Sequence, residues 1–213
     1  MTNSLNYNVS KSKSALIIFT RNPELGKCKT RLAKTIGDEA ALDIYKYLLQ
    51  HTATISKDIN VDKFVFYSED IKKEDLWDSE IFRKKLQQGS DLGERMEHAF
   101  KQLFQSDYEK VVVIGSDLLD LKPRDIETAF KLLNNNDFVI GPAKDGGYYL
   151  LGMKHLQSKF FKNKKWGTST VLNDTLKDIE NSTFVLLKEL NDIDTFEDLK
   201  PYQQLKKFYI KND

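Results

Sequence analysis

The chain has 213 residues, 40% of them hydrophobic and 11% aromatic, enough for one domain with a sizeable core. Its 33 basic and 32 acidic residues leave a formal charge of +1, which gives no bulk attraction for nucleic acid or an anionic membrane surface. No apolar run approaches the roughly 20 residues that cross a bilayer, and the single cysteine, Cys28, excludes an intrachain disulfide and fits a reducing compartment, so a cytoplasmic protein is expected.

Residues 1–13 are polar and lack the apolar middle of a secretion signal; a frayed lead is expected there, ahead of a single domain over residues 14–213. The first element is Ala15-Leu-Ile-Ile-Phe19, a run of apolar residues that reads as a fully buried strand. It breaks at Asn22-Pro23 and Gly26, which are turn formers. Arg21, Lys27, Lys29 and Arg31 follow within eleven residues. A buried strand that feeds a cationic loop is suited to phosphate oxygens, because ligands of open α/β sheets lie beyond the carboxyl ends of the strands. The loop is not a Walker A motif, since Arg21 stands where that motif has its first Gly and Cys28 where it has Ser or Thr. Charge, rather than a glycine-lined cradle, has to hold the anion. Cys28 lies between Lys27 and Lys29, which could lower its pKa, but no His stands near it in sequence to make it a catalytic thiol.

Apolar residues at Ala41, Leu42, Ile44, Tyr45, Leu48 and Leu49 predict a helix over residues 38–57, with Asp38 as its cap. A short strand is predicted over residues 63–67. Residues 71–86 are mixed and charged and receive no element, although Trp77, Ile81, Phe82 and Leu86 could cover an edge of the core. The stretch from Gln88 to Met96 contains a second glycine turn that opens a helix. Asp91 there is a helix cap or a ligand contact. Arg95 is a cation near a helix N-terminus, where positive charge is disfavoured, so a ligand carboxylate or phosphate would account for it.

Lys110-Val-Val-Val-Ile114 is the clearest strand, apolar enough for burial on both faces. Asp117 closes it through Gly115-Ser116, and a carboxylate at that edge suits Mg²⁺ or Mn²⁺. Pro123 marks the start of the next helix, too far on for Asp117 to cap it. A strand from Phe138 and another over residues 148–153 flank Asp145-Gly146-Gly147, a hairpin signal whose glycines also permit close approach of a substrate. Trp166 either closes over a sugar or base or anchors its loop, and Thr168 or Ser169 would cap a helix over residues 171–179. A late strand over residues 184–187 leads to Asp192 and Asp194; Asp194 or Thr195 would cap the last helix, with Glu197 or Asp198 completing a capping box, and capping needs only one of Asp192 and Asp194. His51, His98 and His155 show no zinc-ligand spacing. Alternating strands and helices predict a mostly parallel sheet with helices on both faces.

Taken together, the segment from Phe19 to Ala33, Gly89-Ser-Asp-Leu-Gly-Glu-Arg-Met96, Gly115-Ser-Asp117, the segment from Gly141 to Gly152, and Asp192-Ile-Asp-Thr195 resemble the bacterial rSAM/selenodomain-associated (arsenosugar-biosynthesis-type) glycosyltransferases. These are similar to the nucleotide-diphospho-sugar transferase (GT-A) superfamily, which includes molybdenum-cofactor and phospholactate nucleotidyltransferases. The resemblance implies a three-layer α/β/α Rossmann-like fold with a mostly parallel mixed sheet, a nucleotide or nucleotide sugar with a small-molecule acceptor, and Mg²⁺ or Mn²⁺. It implies that Arg21, Lys27, Lys29 and Arg31 face the phosphates; with the turns and loops read above, the expected nucleotide-binding set adds Gly26, Asp91, Arg95, Gly146, Gly147 and Trp166. Asp117, Asp145 and Lys27 are the expected catalytic residues, and Asp117 with Asp192 or Asp194 would hold the metal. The family continues Ser-Asp with a small residue and Pro; Leu118-Leu119-Asp120 stands here, so a differently shaped loop with Asp120 as a helper is expected. The expected activity is glycosyl transfer from a nucleotide sugar. The alternatives are nucleotidyl transfer from an NTP to a phosphorylated small molecule and non-catalytic nucleotide binding.

Overall fold

The computed structural model describes residues 13–179 and 181–210, so the frayed lead expected over residues 1–13 lies, apart from Lys13, outside the described residues. Seven strands form one sheet: β1 (Ser14–Thr20), β2 (Asp62–Tyr67), β3 (Phe82–Leu86), β4 (Lys110–Ile114), β5 (Phe138–Pro142), β6 (Tyr148–Met153) and β7 (Phe184–Leu186). Their spatial order is β3-β2-β1-β4-β6-β5-β7. Every pairing is parallel except the two made by β6, which runs against both β4 and β5. The mostly parallel mixed sheet expected from the sequence is therefore the one that forms.

The apolar runs of β1 and β4 bury both faces by simple alternation. Leu16, Ile18, Val112 and Ile114 point into one core with residues of α2 (Asp38–Lys57) and α4 (Pro123–Leu132). Ala15, Ile17, Val111 and Val113 point into the other with Met96, Phe100 and Leu103 of α3 (Leu92–Phe104) and with Phe160 and Phe161. Leu172 and Leu176 of α5 (Val171–Lys177) pack against that second core. A smaller cluster joins α1 (Thr30–Ile36), α2 and α6 (Phe196–Leu199) through Leu32, Ile44 and Leu199. Among the described residues no helix is long and apolar enough to cross a membrane.

Four local outcomes differ from the sequence reading. Residues 82–86, given no element above, form the edge strand β3 beside β2. Trp77 and Phe82 are buried edge to face with 5.2 Å between ring centroids, whereas Ile81 and Leu86 stay exposed. Residues 30–36 form a separate helix before Gly37, whose φ of +87° interrupts α1 and α2. Gly37, not Asp38, is the cap of α2. Thr170 stands at the start of α5 with no side-chain cap bond, so neither Thr168 nor Ser169 serves there.

Candidate functional site

The carboxyl ends of β1, β4 and β5 share one edge of the sheet with the start of β6, and the chemistry-bearing residues gather there. The loop after β1 is held from below. The Tyr45 hydroxyl of α2 accepts from the Arg21 N–H at 2.9 Å and lies 3.3 Å from the Ser116 hydroxyl. Asn22 is buried; its Oδ1 accepts from the backbone N–H groups of Glu69 (3.1 Å) and Asp70 (3.3 Å), and its Nδ2 donates to the Asp70 carbonyl at 2.8 Å. The Cys28 thiol is buried, donates to the Asn22 carbonyl at 3.3 Å, and is pushed up in pKa by that burial, so it is a structural thiol and not a nucleophile.

Lys29 adopts a left-handed backbone conformation (φ +50°) at the start of α1, which turns its side chain inward. Its side chain is 6% exposed, and its ammonium lies 2.8 Å from Asp117 Oδ2 and 4.0 Å from Asp194 Oδ1. Burial opposes the charge, but Asp117 first, then Asp194 and Asp192, outweigh it and hold the Lys29 pKa above the ordinary lysine value. Lys27, expected as the catalytic cation, sits on the rim instead, paired with Glu24 at 2.7 Å and Glu69 at 3.5 Å. The cation in contact with Asp117 is thus Lys29, a choice set by loop geometry that spacing alone could not resolve. Arg31 pairs with Asp194 at 2.9 Å.

Arg21, Lys27, Lys29, Arg31, Asp91 and Arg95 line one cavity of about 730 Å³, together with Asp117 and Asp194. Arg95 donates to the Gly89 carbonyl at 3.1 Å, which ties its guanidinium across the turn. Asp91 does cap α3, accepting from the Glu94 N–H at 2.8 Å, and also lines the cavity; both of its readings hold. Gly26 (φ +73°) makes the turn that precedes Lys27 and does not itself line the cavity.

The acidic side is assembled by the segment after β7. The Leu190 N–H donates to the Pro142 carbonyl and the Ile193 N–H to the Asp117 carbonyl at 3.3 Å, which brings residues 190–194 alongside the end of β4. Capping of α6 falls to Thr195 with Asp198, so both Asp192 and Asp194 are free of it. Burial first, then the nearby Asp117 and Asp145 carboxylates, push Asp192 up to about 6, against the pull of Lys29. Asp145 accepts from the Gly147 N–H at 2.8 Å, the hairpin turn expected there. Asp120, expected as a helper, is instead bound by the Tyr202 hydroxyl at 2.6 Å, and Leu118 and Leu119 are buried; the departure from Ser-Asp-small-Pro anchors the C-terminal segment.

Among the described residues no three His, Cys, Asp or Glu side chains form a group ready to hold a metal ion. The donor chemistry nevertheless fits one kind of guest. Mg²⁺ is held by one or two carboxylates plus water and substrate phosphates, and Asp117 and Asp192 are two hard oxygen donors whose mutual repulsion a divalent cation would relieve. Asp194, the other acid expected there, pairs with Arg31 at 2.9 Å and lies 4.0 Å from Lys29, as Asp117 pairs with Lys29.

The raised Asp192 pKa has a consequence for stability. Its folded value of about 6 lies above the ordinary 3.8, so the folded chain binds the extra proton and stability falls as pH rises from about 4 to about 6. Asp192→Asn is expected to flatten that slope and to raise stability at pH 7 by about 1–2 kcal/mol. Thermal melts across pH 4–8 would check it; an unchanged slope would count against the crowding.

A second cavity of about 230 Å³ lies beside the first. Asp145, Gly147, Tyr148 and Trp166 line it with Asp117 and Asp192. Trp166 stands edge-on to Tyr148 (6.4 Å, 87°), and a Cβ at Gly93 would lie 2.6 Å from its Nε1, so the indole is also packed on the start of α3. Gly146 (φ +87°) is pressed under Ser169. Gly147 and Trp166, expected around the nucleotide, therefore line the second cavity, and Gly146 lines neither. Asp117 lines both cavities.

Residues 51–168 match the model of the family described as "Uncharacterized protein conserved in bacteria (DUF2064)". The 2-phospho-L-lactate guanylyltransferase of Methanocaldococcus vulcanius is 30% identical over 174 residues, which cover 78% of this chain and 71% of that one. A Desulfovibrio desulfuricans G20 protein, provisionally named a nucleotide-diphospho-sugar transferase, superposes with a TM-score of 0.84 at 32% identity, over 92% of this chain and 88% of that one. A cytidylyltransferase of Leptospira borgpetersenii shares the fold, with a TM-score of 0.59 at 16% identity over 94% and 89% of the two chains.

Proposed function

The chain belongs to the DUF2064 family, and for this member we propose transfer of a nucleotidyl group from a nucleoside triphosphate to a small acceptor. It is a transferase, as are its named relatives. The observation that carries the reading is the position of Asp117 on the shared wall of a cationic cavity and a smaller, largely apolar one. Two reactants held on either side would meet at that carboxylate.

In this reading Arg21, Lys27, Lys29, Arg31 and Arg95 offset the charge of the triphosphate, with Lys29 fixed in place before the nucleotide arrives. An acceptor oxygen attacks the α-phosphorus, the bond from that phosphorus to the bridging oxygen breaks, and pyrophosphate leaves toward the cations. The acceptor's proton passes to a carboxylate of the rim, and the proposed base is Asp145, which lines the smaller cavity. Asp117 and Asp192 would hold a Mg²⁺ or Mn²⁺ that enters with the nucleotide; when bound, it would neutralise phosphate oxygens. The guanylyltransferase relative supports this order of preference over the glycosyl transfer expected from the motifs.

A second reading, glycosyl transfer from a nucleotide sugar, is favoured by the D. desulfuricans relative. The two part at the products. With each NTP, Mg²⁺ or Mn²⁺ and a mixture of small acceptors, the expected result is pyrophosphate and an acceptor heavier by one nucleoside monophosphate, read by mass spectrometry. Release of nucleoside diphosphate from UDP-, GDP- or TDP-sugars, with no pyrophosphate from any NTP, would establish the glycosyl reading in its place.

A further inference from the structure

The smaller cavity is charged on one side only. Phe19, Met96 and Trp166 wall it with carbon and aromatic surface, and Asp117, Asp145 and Asp192 stand at its rim. No Lys, Arg or His lines it among the described residues; the cations of this edge face the other cavity. Resting on the transfer reading above, we infer that the acceptor is a compact apolar molecule that presents a hydroxyl and carries no phosphate.

A phosphate dianion in this cavity would face Asp117, Asp145 and Asp192; the one fixed cation beside them, Lys29, is already paired with Asp117 and lines the other cavity, so the like charges would repel with no cation of the lining to offset them. The walls, by contrast, suit a ring or short branched hydrocarbon body, the usual lining of a small-molecule site. At about 30 Å³ per water-sized group, the cavity takes roughly eight such groups, the span of one six-membered ring with a substituent. Tyr148 supplies the polar contact. Its hydroxyl is directed at Met96 Sδ, 4.0 Å away, a weak acceptor that an acceptor oxygen would readily displace. Burial holds that phenol protonated, and thus a donor, well above its ordinary range. The hydroxyl so held attacks the α-phosphorus, forms a phosphodiester and releases pyrophosphate, its proton going to the carboxylate rim. This sets the chain apart from its guanylyltransferase relative, whose name specifies a phosphorylated acceptor, and from the phosphorylated small molecule of the sequence-based alternative.

Benzyl alcohol and benzyl phosphate test the discrimination, since they differ in the charged group. The chain has two tryptophans, of which Trp77 is buried away in the core and Trp166 lines the cavity. Benzyl alcohol is expected to change the Trp166 emission saturably, with the change lost in Trp166→Phe, while benzyl phosphate binds at least about tenfold more weakly, with or without Mg²⁺. Ligand-observed NMR on the unaltered protein gives the same ratio without relying on the variant. Thr168→Lys, which adds a cation to the lining, is expected to narrow the ratio. Absence of saturable benzyl alcohol binding, or benzyl phosphate binding as tightly in the unaltered protein, overturns the inference. Thermal shifts with each NTP and Mg²⁺ are measured beside these; a chain that selects the alcohol but binds no NTP would sink the transfer reading and leave the cavity's selectivity standing.

Discussion

Asp117→Asn is expected to lower turnover by about 10²–10³-fold while leaving the fold intact, because it neutralises the carboxylate common to both cavities without changing its shape. The substitution keeps an oxygen for the Lys29 ammonium, now 2.8 Å from the carboxylate, but removes the charge that offsets it. Asp117 is about one-third exposed, so the structural loss should be modest and separable from the catalytic one. Product formation under saturating NTP, measured beside a thermal melt, distinguishes them. A variant that retains more than about a tenth of the activity would remove Asp117 from the reaction centre.

Lys29→Met should act on both binding and stability. Breaking a fully buried ion pair costs about 3–5 kcal/mol, and the one-third exposure of Asp117 and Asp194 reduces the expected loss here to about 1–3 kcal/mol. Triphosphate affinity should fall together with stability, because Asp117 and Asp192 then lose their counter-charge and Asp194 keeps only Arg31. The pH dependence gives the variant its signature. Since Lys29 has a folded pKa above the ordinary 10.5, its contribution is fully present below that value and is lost as pH rises through the folded one. The unaltered chain should therefore lose stability above about pH 10.5 in a way that Lys29→Met does not. Lys27→Met, on the exposed rim, should weaken nucleotide binding with little change in melting temperature. Equal melting temperatures for Lys29→Met and the unaltered chain would show the ammonium to be dispensable to the fold.

Much of this architecture could be read before any coordinates, and the gaps have physical causes. The bounds of α2, β4 and β6 follow from apolar periodicity strong enough to override local noise. The edge strand β3 was hidden because Phe82-Arg-Lys-Lys-Leu86 carries three cations, the composition that protects an open sheet edge from further pairing and conceals its period. The first helix was hidden because its cap position is Lys29, in a left-handed conformation, and not a Ser, Thr, Asp or Asn whose side chain would announce it. At the site, spacing identified the cationic loop and the acids after β4 and β7. It could not choose between Lys27 and Lys29, since which side chain turns inward depends on the backbone of one residue. Nor could it divide the residues between two cavities: Trp166 and Gly147 reach theirs because β6 alone reverses direction and presents its beginning at the edge where its neighbours end.

The loop that carries the cations owes its shape to Asn22, a side chain that lines neither cavity. One carboxamide fastens the first crossover to the second with both of its ends, taking from the Glu69 and Asp70 amides and giving to the Asp70 carbonyl. An aspartate of the same outline could keep only the accepting half. Anion recognition in this chain is thus mortgaged to a clasp hidden beneath it, and sequence drift at position 22 would be felt in ligand strength with no contact residue altered.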